Sequence, residues 1–272
     1  MDILVLAILG MIPAIALLIF VFRMDFKEKE PIGMVLSLFG IGVGITIPAM
    51  ALELLMEFLL PETEEASGFV YAFFNGFLTA GLVEEALKYL GTYLRGWRSK
   101  HFNCTYDGIV YAVFVSLGFA LVENVLYVVE NGFANAIARA LSAVPGHMCF
   151  AVFMGYFIGQ ARKARNKNRK KAATGYRILS FAVPFLMHGT YDFLAFYSEG
   201  WATVLWVLLL VCMFFFSFRL IFVASKEDEF IVSKGKPTEV TPWTCVCGKW
   251  NTTKFCTSCG MAQPQINPYE IP

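Results

Sequence analysis

Residues 202–224 read ATVLWVLLLVCMFFFSFRLIFVA, an apolar run interrupted by a single charged side chain, Arg219. A transmembrane α-helix needs about 20 consecutive, mostly apolar residues, so this run is long enough to cross a bilayer. Six further runs of the same kind precede it, at 3–22, 32–52, 69–94, 108–129, 136–160 and 177–197. The sequence therefore predicts an all-α polytopic membrane protein, a bundle of about seven transmembrane helices.

The composition agrees with a membrane protein. Of the 272 residues, 57% are hydrophobic and only 16% are charged, whereas soluble domains are typically about 45–50% apolar and about 25% charged. An ordinary soluble enzyme is excluded on these numbers, and so is a disordered chain, which needs low hydrophobicity and high net charge. The run at 3–22 follows Asp2 rather than a basic stretch and has no small-residue cleavage site after it, so we expect a retained helix.

Basic residues mark every second loop. They follow the first, third and fifth predicted helices: Arg23, Lys27 and Lys29, then Arg95, Arg98 and Lys100, then the cluster within 162–171. The loops between them, at 61–67, 130–135 and 198–200, contain no Lys or Arg. Because basic loops stay in the cytoplasm, we expect the N-terminus outside and the C-terminus inside, in a multi-pass protein of the plasma membrane. The 162–171 cluster is interpreted as a topology determinant beside anionic lipid, and no nucleic-acid partner is expected.

The chain beyond the last apolar run changes character. We predict a membrane bundle over 1–224, a polar linker over 225–240, a small module over 241–262 and a tail over 263–272. The module contains two pairs of closely spaced cysteines, Cys245 and Cys247, then Cys256 and Cys259. Four thiolates close a tetrahedral zinc site, and a module this short needs a metal to fold. We therefore expect a cytoplasmic, zinc-ribbon-like module with a structural zinc.

Ionisable side chains also occur inside the predicted membrane helices. They are Glu84, Glu85, Lys88, Glu123, His147, His188 and Asp192. Each one costs roughly 2.5–3.5 kcal/mol near the bilayer centre, so the four acids together cost on the order of 10 kcal/mol, comparable to a typical folding stability. Such residues indicate a functional site.

Depth decides whether these residues can meet. At about 1.5 Å per residue from the basic end of each helix, a first group lies roughly 16 Å deep: Glu84, Glu85 and His188. A second group lies roughly 22–24 Å deep: His147, Asp192 and Glu123. The spacing also pairs Glu84 with Lys88 and His188 with Asp192, one helical turn apart. A single polar cluster is therefore expected, in which one carboxylate accepts a proton from water.

Taken singly, each residue has a structural interpretation. Glu84 and Lys88 can form a purely structural pair, and Lys88 can reach the cytoplasmic surface with its long side chain. His147 follows Pro145 and Gly146, where a kink would leave carbonyl groups to satisfy. These interpretations do not explain why both membrane histidines and the acid pair fall at similar depth, so the set favours a hydrolytic site.

Four motifs on successive helices carry a family resemblance. In chain order they are Glu84-Glu85-xx-Lys88, Glu123-xxx-Tyr127, His147 followed by Gly155-xxx-Gly159, and His188-xxx-Asp192. This set resembles the PrsW family of intramembrane proteases and, more distantly, the type II CAAX prenyl endopeptidases and bacteriocin-immunity membrane proteins. The resemblance covers about residues 30–197.

The resemblance implies hydrolysis of peptide bonds in membrane-anchored proteins, such as anti-sigma-factor-like regulators. It implies that Glu84 or Glu85 activates water, that His147 and His188 complete the site, and that Asp192 orients His188. Glu123 and Lys88 would be further members. His147, His188 and Glu85 could hold a catalytic zinc, or a Glu–His pair could act without metal. The alternative function is a non-catalytic membrane scaffold that recruits partners through the zinc module.

Overall fold

The computed structural model describes residues 3–59, 68–197, 199–231, 243–251, 258–259 and 261. The chain forms two compact units, Met1–Ile231 and Val232–Pro272. The sequence predicts a linker that begins at 225, whereas the structure places the boundary between the units after Ile231. The reason is that residues just beyond the last helix pack on the first unit: the Ile231 amide donates to the Asn103 carbonyl at 2.6 Å, and Phe230 pairs with Cys104 as an isolated β-bridge.

The first unit is helical. Its α-helices are α1 (Ile3–Arg23), α2 (Ile32–Leu59), α3 (Gly68–Phe73), α4 (Val83–Gly96), α5 (Asp107–Leu141), α6 (Ala143–Asn166), α7 (Lys170–Phe196) and α8 (Gly200–Lys226). A π-helix, Phe74–Leu82, joins α3 to α4. The all-α class predicted from the apolar runs is therefore confirmed.

One predicted helix start differs from the structure. The sequence places a loop at 130–135, and the helical path does break there, at Gly132. The residues after the break still belong to α5, which ends at Leu141, and α6 begins at Ala143 rather than at 136. Gly132 interrupts α5 with φ 80° and ψ −167°. Glycine populates positive φ at no steric cost, so the chain turns there and resumes helical hydrogen bonding at once.

Helix α5 is the centre of the first unit. All residues from Asp107 to Ala120 are buried, and α1, α2 and α6 pack around them. The contact with α6 is close because Gly108 faces Gly155: a Cβ added at Gly108 would lie 2.4 Å from the Gly155 carbonyl oxygen. Such small residues let membrane helices approach closely, which brings the polar side chains of α5 and α6 together.

The surface is that of a membrane protein. Five described helical spans are long and apolar enough to cross a bilayer, and one of them, Asp107–Asn166, contains both α5 and α6. Large apolar side chains on the outer helices face outward, among them Ile3, Ile47 and Val211, each more than 60% exposed. Water would oppose such a surface, and lipid accommodates it. The protein is therefore an integral membrane protein.

Buried acids hold the loops of the first unit together at the end where α1 and α8 finish. We call Asp25, Glu30, Asp107 and Asp228 the junction cluster. Asp107 Oδ2 accepts the amides of Asn103 and Cys104, and Asp228 Oδ1 accepts the Thr105 hydroxyl and the Tyr106 amide, all at 2.7–2.9 Å. The cluster thereby ties the α4–α5 loop to the residues that follow α8.

The second unit contains a small hairpin. Strand β1 (Trp243–Thr244) pairs antiparallel with β2 (Trp250–Asn251). Between them Gly248 has φ 82°, and its amide donates to the Cys245 carbonyl at 2.8 Å. This is the tight turn that a cysteine knuckle needs.

Candidate active site

The structure brings the seven predicted membrane residues into one cluster, which we call the membrane cluster. Its members are Glu84, Glu85 and Lys88 on α4, Glu123 on α5, His147 on α6, and His188 and Asp192 on α7. Five of them are at most 6% exposed, and the other two, Glu123 and Asp192, are half-buried. The residues that the helical rise places at similar depth therefore do meet in the structure.

Lys88 lies at the middle of the membrane cluster and is fully buried. Its Nζ donates to Glu84 Oε2 at 2.8 Å and to Glu85 Oε1 at 3.0 Å, and it lies 3.0 Å from His147 Nδ1. The side chain therefore does not extend to the membrane surface. An ammonium group has no acceptor, so His147 Nδ1 must accept, and the proton of this imidazole is on Nε2.

Each histidine also contacts a carboxylate through its second nitrogen. His147 Nε2 lies 2.8 Å from Glu123 Oε2, and His188 Nε2 lies 3.1 Å from Asp192 Oδ2. His188 Nδ1 lies 3.0 Å from Glu85 Oε1. Carboxylates that accept from the outer nitrogen fix the tautomer and orientation of a histidine. The expected pairing of Asp192 with His188 is present.

Arg139 belongs to the same network and was missed from the sequence. Its NH2 lies 3.0 Å from Glu123 Oε1, its Nε donates to Asn124 Oδ1 at 3.0 Å, and its guanidinium covers the Tyr127 ring at 4.1 Å. The turn at Gly132 brings Arg139 back beside Glu123. No linear spacing rule connects residues 123 and 139, so only the glycine offered a signal.

The cluster faces a cavity of about 470 Å³. Glu84, Glu123, His147, His188 and Asp192 line it, whereas Glu85 and Lys88 lie behind its wall. The two adjacent glutamates therefore have different surroundings: Glu84 can meet a molecule in the cavity, and Glu85 contacts Lys88 and His188. The remaining wall extends along the side chains of Glu53, Glu57 and Glu130.

The π-helix before α4 places the two glutamates. It packs on α7, where a Cβ at Gly76 would lie 2.5 Å from the Phe193 amide nitrogen, and a Cβ at Gly189 would lie 2.3 Å from the Phe77 ring. This close packing supports the start of α4, which carries the two glutamates, and π-helices are frequent at functional sites although they are rare overall. Phe150 completes the support by stacking on His188, with ring centroids 4.7 Å apart.

Among the described residues, two groups of side chains could hold metal ions. One ligand atom from each of Glu84, Glu85, His147 and His188 lies within 4.8 Å of the others. In the second unit the same is true of Cys245, Cys247 and Cys259, with 3.5 Å between the sulfurs of the first and the last. Cys256, the fourth predicted zinc ligand, lies outside the described residues.

Comparison with known proteins identifies the family. Residues 30–220 match the model of the PrsW family of intramembrane metalloproteases. The chain is similar to Protease PrsW of Bacillus subtilis, with 39% identity over 71% of this chain and 83% of the relative, and to that of Geobacillus kaustophilus, with 38% identity over 74% and 84%. The Clostridioides difficile protease is 32% identical over 76% of this chain and 85% of its own length.

No solved structure matches the chain. The family model nevertheless spans most of the first unit, including all residues of the membrane cluster. The chain therefore belongs to the PrsW family of intramembrane proteases.

Proposed function

We propose that the protein is an endopeptidase that cleaves membrane-anchored proteins in the cavity, with Glu84 as the group that activates water. One observation carries this proposal: Glu84, His147 and His188 line one cavity, and Lys88 connects Glu84 and Glu85 behind it. A general base must be within reach of the proton that it removes, and of the two adjacent glutamates Glu84 is the one that lines the cavity.

The donor set fits a metal ion of the kind that a metalloprotease needs. Glu85 Oε2 is buried without a hydrogen-bond partner among the described residues, and both histidines have a carboxylate on the outer nitrogen. That outer carboxylate is the usual companion of a metal-bound histidine. Glu85, His147 and His188 would hold the ion, and Glu84, the fourth member of the group, would stay free to act as the base. When bound, a divalent ion would supply Lewis-acid polarisation of the scissile carbonyl.

The chain's own residues account for the proton transfers. Glu84 accepts one proton from a water molecule as the water oxygen bonds to the carbonyl carbon. The carbon–nitrogen bond then breaks, and Glu84 returns the proton to the leaving nitrogen, which balances the hydrolysis. Lys88 holds Glu84 and Glu85 in place while no metal is bound, and Glu123 and Asp192 act as positioning residues for the histidines.

The charge of the loops indicates from which side of the membrane a substrate enters the cavity. We propose seven crossings with the N-terminus outside, since the loops after α1, α4 and α6 contain the basic residues. Glu53, Glu57 and Glu130 then lie toward the outer face, so the cavity receives a substrate segment from outside. The protein would reside in the plasma membrane, and anti-sigma-factor-like regulators would be among its substrates.

We further propose that Cys245, Cys247, Cys256 and Cys259 bind a structural zinc on the cytoplasmic side. The closeness of the three described sulfurs and the turn at Gly248 support this. A closed site of four thiolates has no open position for chemistry, so this zinc would stabilise a module that docks a partner.

The test is cleavage of single-span reporter proteins by the full chain in proteoliposomes. Glu84→Gln and Glu85→Gln each replace a carboxylate by an amide of the same shape, and Glu227→Gln, on an exposed residue beyond α8, is the matched control. We expect cleavage by wild type and Glu227→Gln only. If the Glu84→Gln protein still cleaves the reporter and the Glu85→Gln protein does not, the general base is Glu85. Equal biological effect of all variants in cells would favour the scaffold.

A further inference from the structure

We propose that the Lys88 ammonium and a divalent metal ion compete for one binding site. In the metal-free protein Lys88 acts as a built-in cation that holds the donor atoms together. A metal ion can bind Glu85 and His147 only after this ammonium has moved. This competition rests on the metal site proposed above and does not require proteolysis.

The contacts of Lys88 are the contacts that a metal ion would need. Its Nζ lies 2.8–3.0 Å from Glu84 Oε2, Glu85 Oε1 and His147 Nδ1. All three residues, with His188, form the group whose ligand atoms lie within 4.8 Å of one another. Lys88 therefore occupies the space between three members of a four-residue donor set.

Simultaneous binding is excluded by the chemistry of His147. A neutral imidazole offers one lone pair, on the unprotonated nitrogen. In this structure that lone pair faces Lys88, because Nε2 faces the Glu123 carboxylate. A metal ion bonded to His147 Nδ1 would take the same lone pair, and two cations a few ångströms apart also repel each other in a buried site.

Lys88 has a place to which its ammonium can move. The Nζ lies 4.4 Å from the centre of the Phe119 ring, and Phe119 also lines the cavity. Aromatic faces attract ammonium groups, and the four-carbon stem of lysine is flexible. A rotation toward the ring and the cavity would release all three donors without any change in the helices.

The competition predicts weak, reversible metal binding by wild type. The decisive comparison uses the full chain with Cys247→Ser and Cys259→Ser, which remove two thiolates of the tail, and measures zinc and cobalt affinity in detergent. Lys88→Met keeps the length of the side chain and removes the charge, Lys88→Arg keeps the charge, and Lys226→Met, on an exposed residue, is the control.

We expect Lys88→Met to bind zinc at least tenfold more tightly than the wild-type, Lys88→Arg and Lys226→Met proteins. Added zinc should also raise the melting temperature of Lys88→Met more than that of wild type, since metal then neutralises the buried glutamates. Equal or weaker zinc affinity in Lys88→Met would overturn the proposal.

A second measurement needs no variant of Lys88 and covers the case in which Lys88→Met does not fold. The protein with the two cysteine substitutions is treated with a small amine-reactive reagent, and modification of each lysine is read by mass spectrometry. Zinc should increase modification of Lys88 at least several-fold relative to exposed Lys226, because its amine leaves the buried position. Unchanged modification with zinc bound would overturn the proposal.

Discussion

The protein buries acidic side chains in two places and partners them differently. In the membrane cluster, the carboxylates of Glu84, Glu85 and Glu123 face lysine, arginine and histidine nitrogens. In the junction cluster, Asp107 and Asp228 accept mainly from backbone amides and from a hydroxyl. The first arrangement is ionic and lines a cavity, while the second closes loops.

This difference distinguishes buried acids that can take part in catalysis from buried acids that only stabilise the fold. Neutral donors on the backbone fix the position of a carboxylate and thereby fix the loop that carries the donors. Charged and titratable partners can instead exchange protons with a carboxylate, and a cavity admits water to it. A buried acid is therefore weak evidence for function until its partners and its access to solvent are known.

In the loop between α1 and α2, burial of acidic side chains has an electrostatic cost that basic partners do not offset. Burial raises the pKa of the Asp25 carboxyl to about 6 and that of Glu30 to about 7. Lys29 opposes this shift at Asp25, and the Tyr111 hydroxyl opposes it at Glu30, yet burial remains the larger effect. These carboxyls thus reduce stability when they ionise.

The largest expected effect comes from removing a histidine of the membrane cluster. His188→Gln removes the side chain that joins Glu85 to Asp192, and we expect kcat/KM for a reporter substrate to fall by about 10²–10⁴-fold, the usual contribution of acid–base groups. Asp228→Asn in the junction cluster should leave activity per folded molecule within about twofold, since it lies outside the network. Similar losses in both variants would remove the distinction between the clusters.

The next effect tests Arg139 as a positioning residue. Arg139→Met leaves Glu123 without its guanidinium partner, and we expect an activity loss of about 10–100-fold, as for other outer partners of metal or catalytic residues. Arg139→Lys should restore part of it, while Arg98→Met, on an exposed loop residue, should have no effect.

A double-variant cycle makes the Arg139 prediction specific. If Arg139 acts through Glu123, the losses in Arg139→Met and Glu123→Gln should not add in the double variant, because both break one chain of contacts to His147. Fully additive losses would indicate that Arg139 supports the fold independently.

Much of this architecture could be predicted from the sequence. Hydropathy located the five described spans that are long and apolar enough to cross a bilayer, because each crossing needs a long apolar run. The constant rise per residue of an α-helix predicted that His147, His188 and the two glutamates lie at similar depth in the membrane. Charged residues inside a bilayer are costly enough that their mere presence indicates a site.

Other features could not be predicted, since they depend on contacts between distant residues. The turn at Gly132 requires positive φ, but glycine occurs in many helices without turning them. The π-helix Phe74–Leu82 has no hydropathy signature that separates it from an α-helix. Depth counting also could not show which of Glu84 and Glu85 lines the cavity, because this depends on how α4 packs against α7.

A smaller effect is expected on stability in the junction cluster. Asp228→Ala removes the acceptor of the Thr105 hydroxyl and the Tyr106 amide, and buried donors left unpaired cost about 1–3 kcal/mol. Thermal unfolding in detergent should show a lower melting temperature than for Glu227→Ala, a change at the exposed neighbouring residue. An unchanged melting temperature would mean that water replaces the lost acceptor.

The smallest expected effect depends on pH, and here the variant is expected to be more stable than wild type. The pKa of Asp25 is about 6 in the folded protein and about 3.9 in an unfolded chain, so the contribution of Asp25 to stability falls as pH rises from about 4 to 6 and is then constant. Asp25→Asn cannot ionise, and we therefore expect it to melt above wild type at pH 8 and together with wild type near pH 4. Glu227→Gln, at an exposed position beyond α8, is the control. An Asp25→Asn protein that melts below wild type at pH 8 would show that the ionised carboxylate stabilises the junction, as the carboxylates of the membrane cluster stabilise their network.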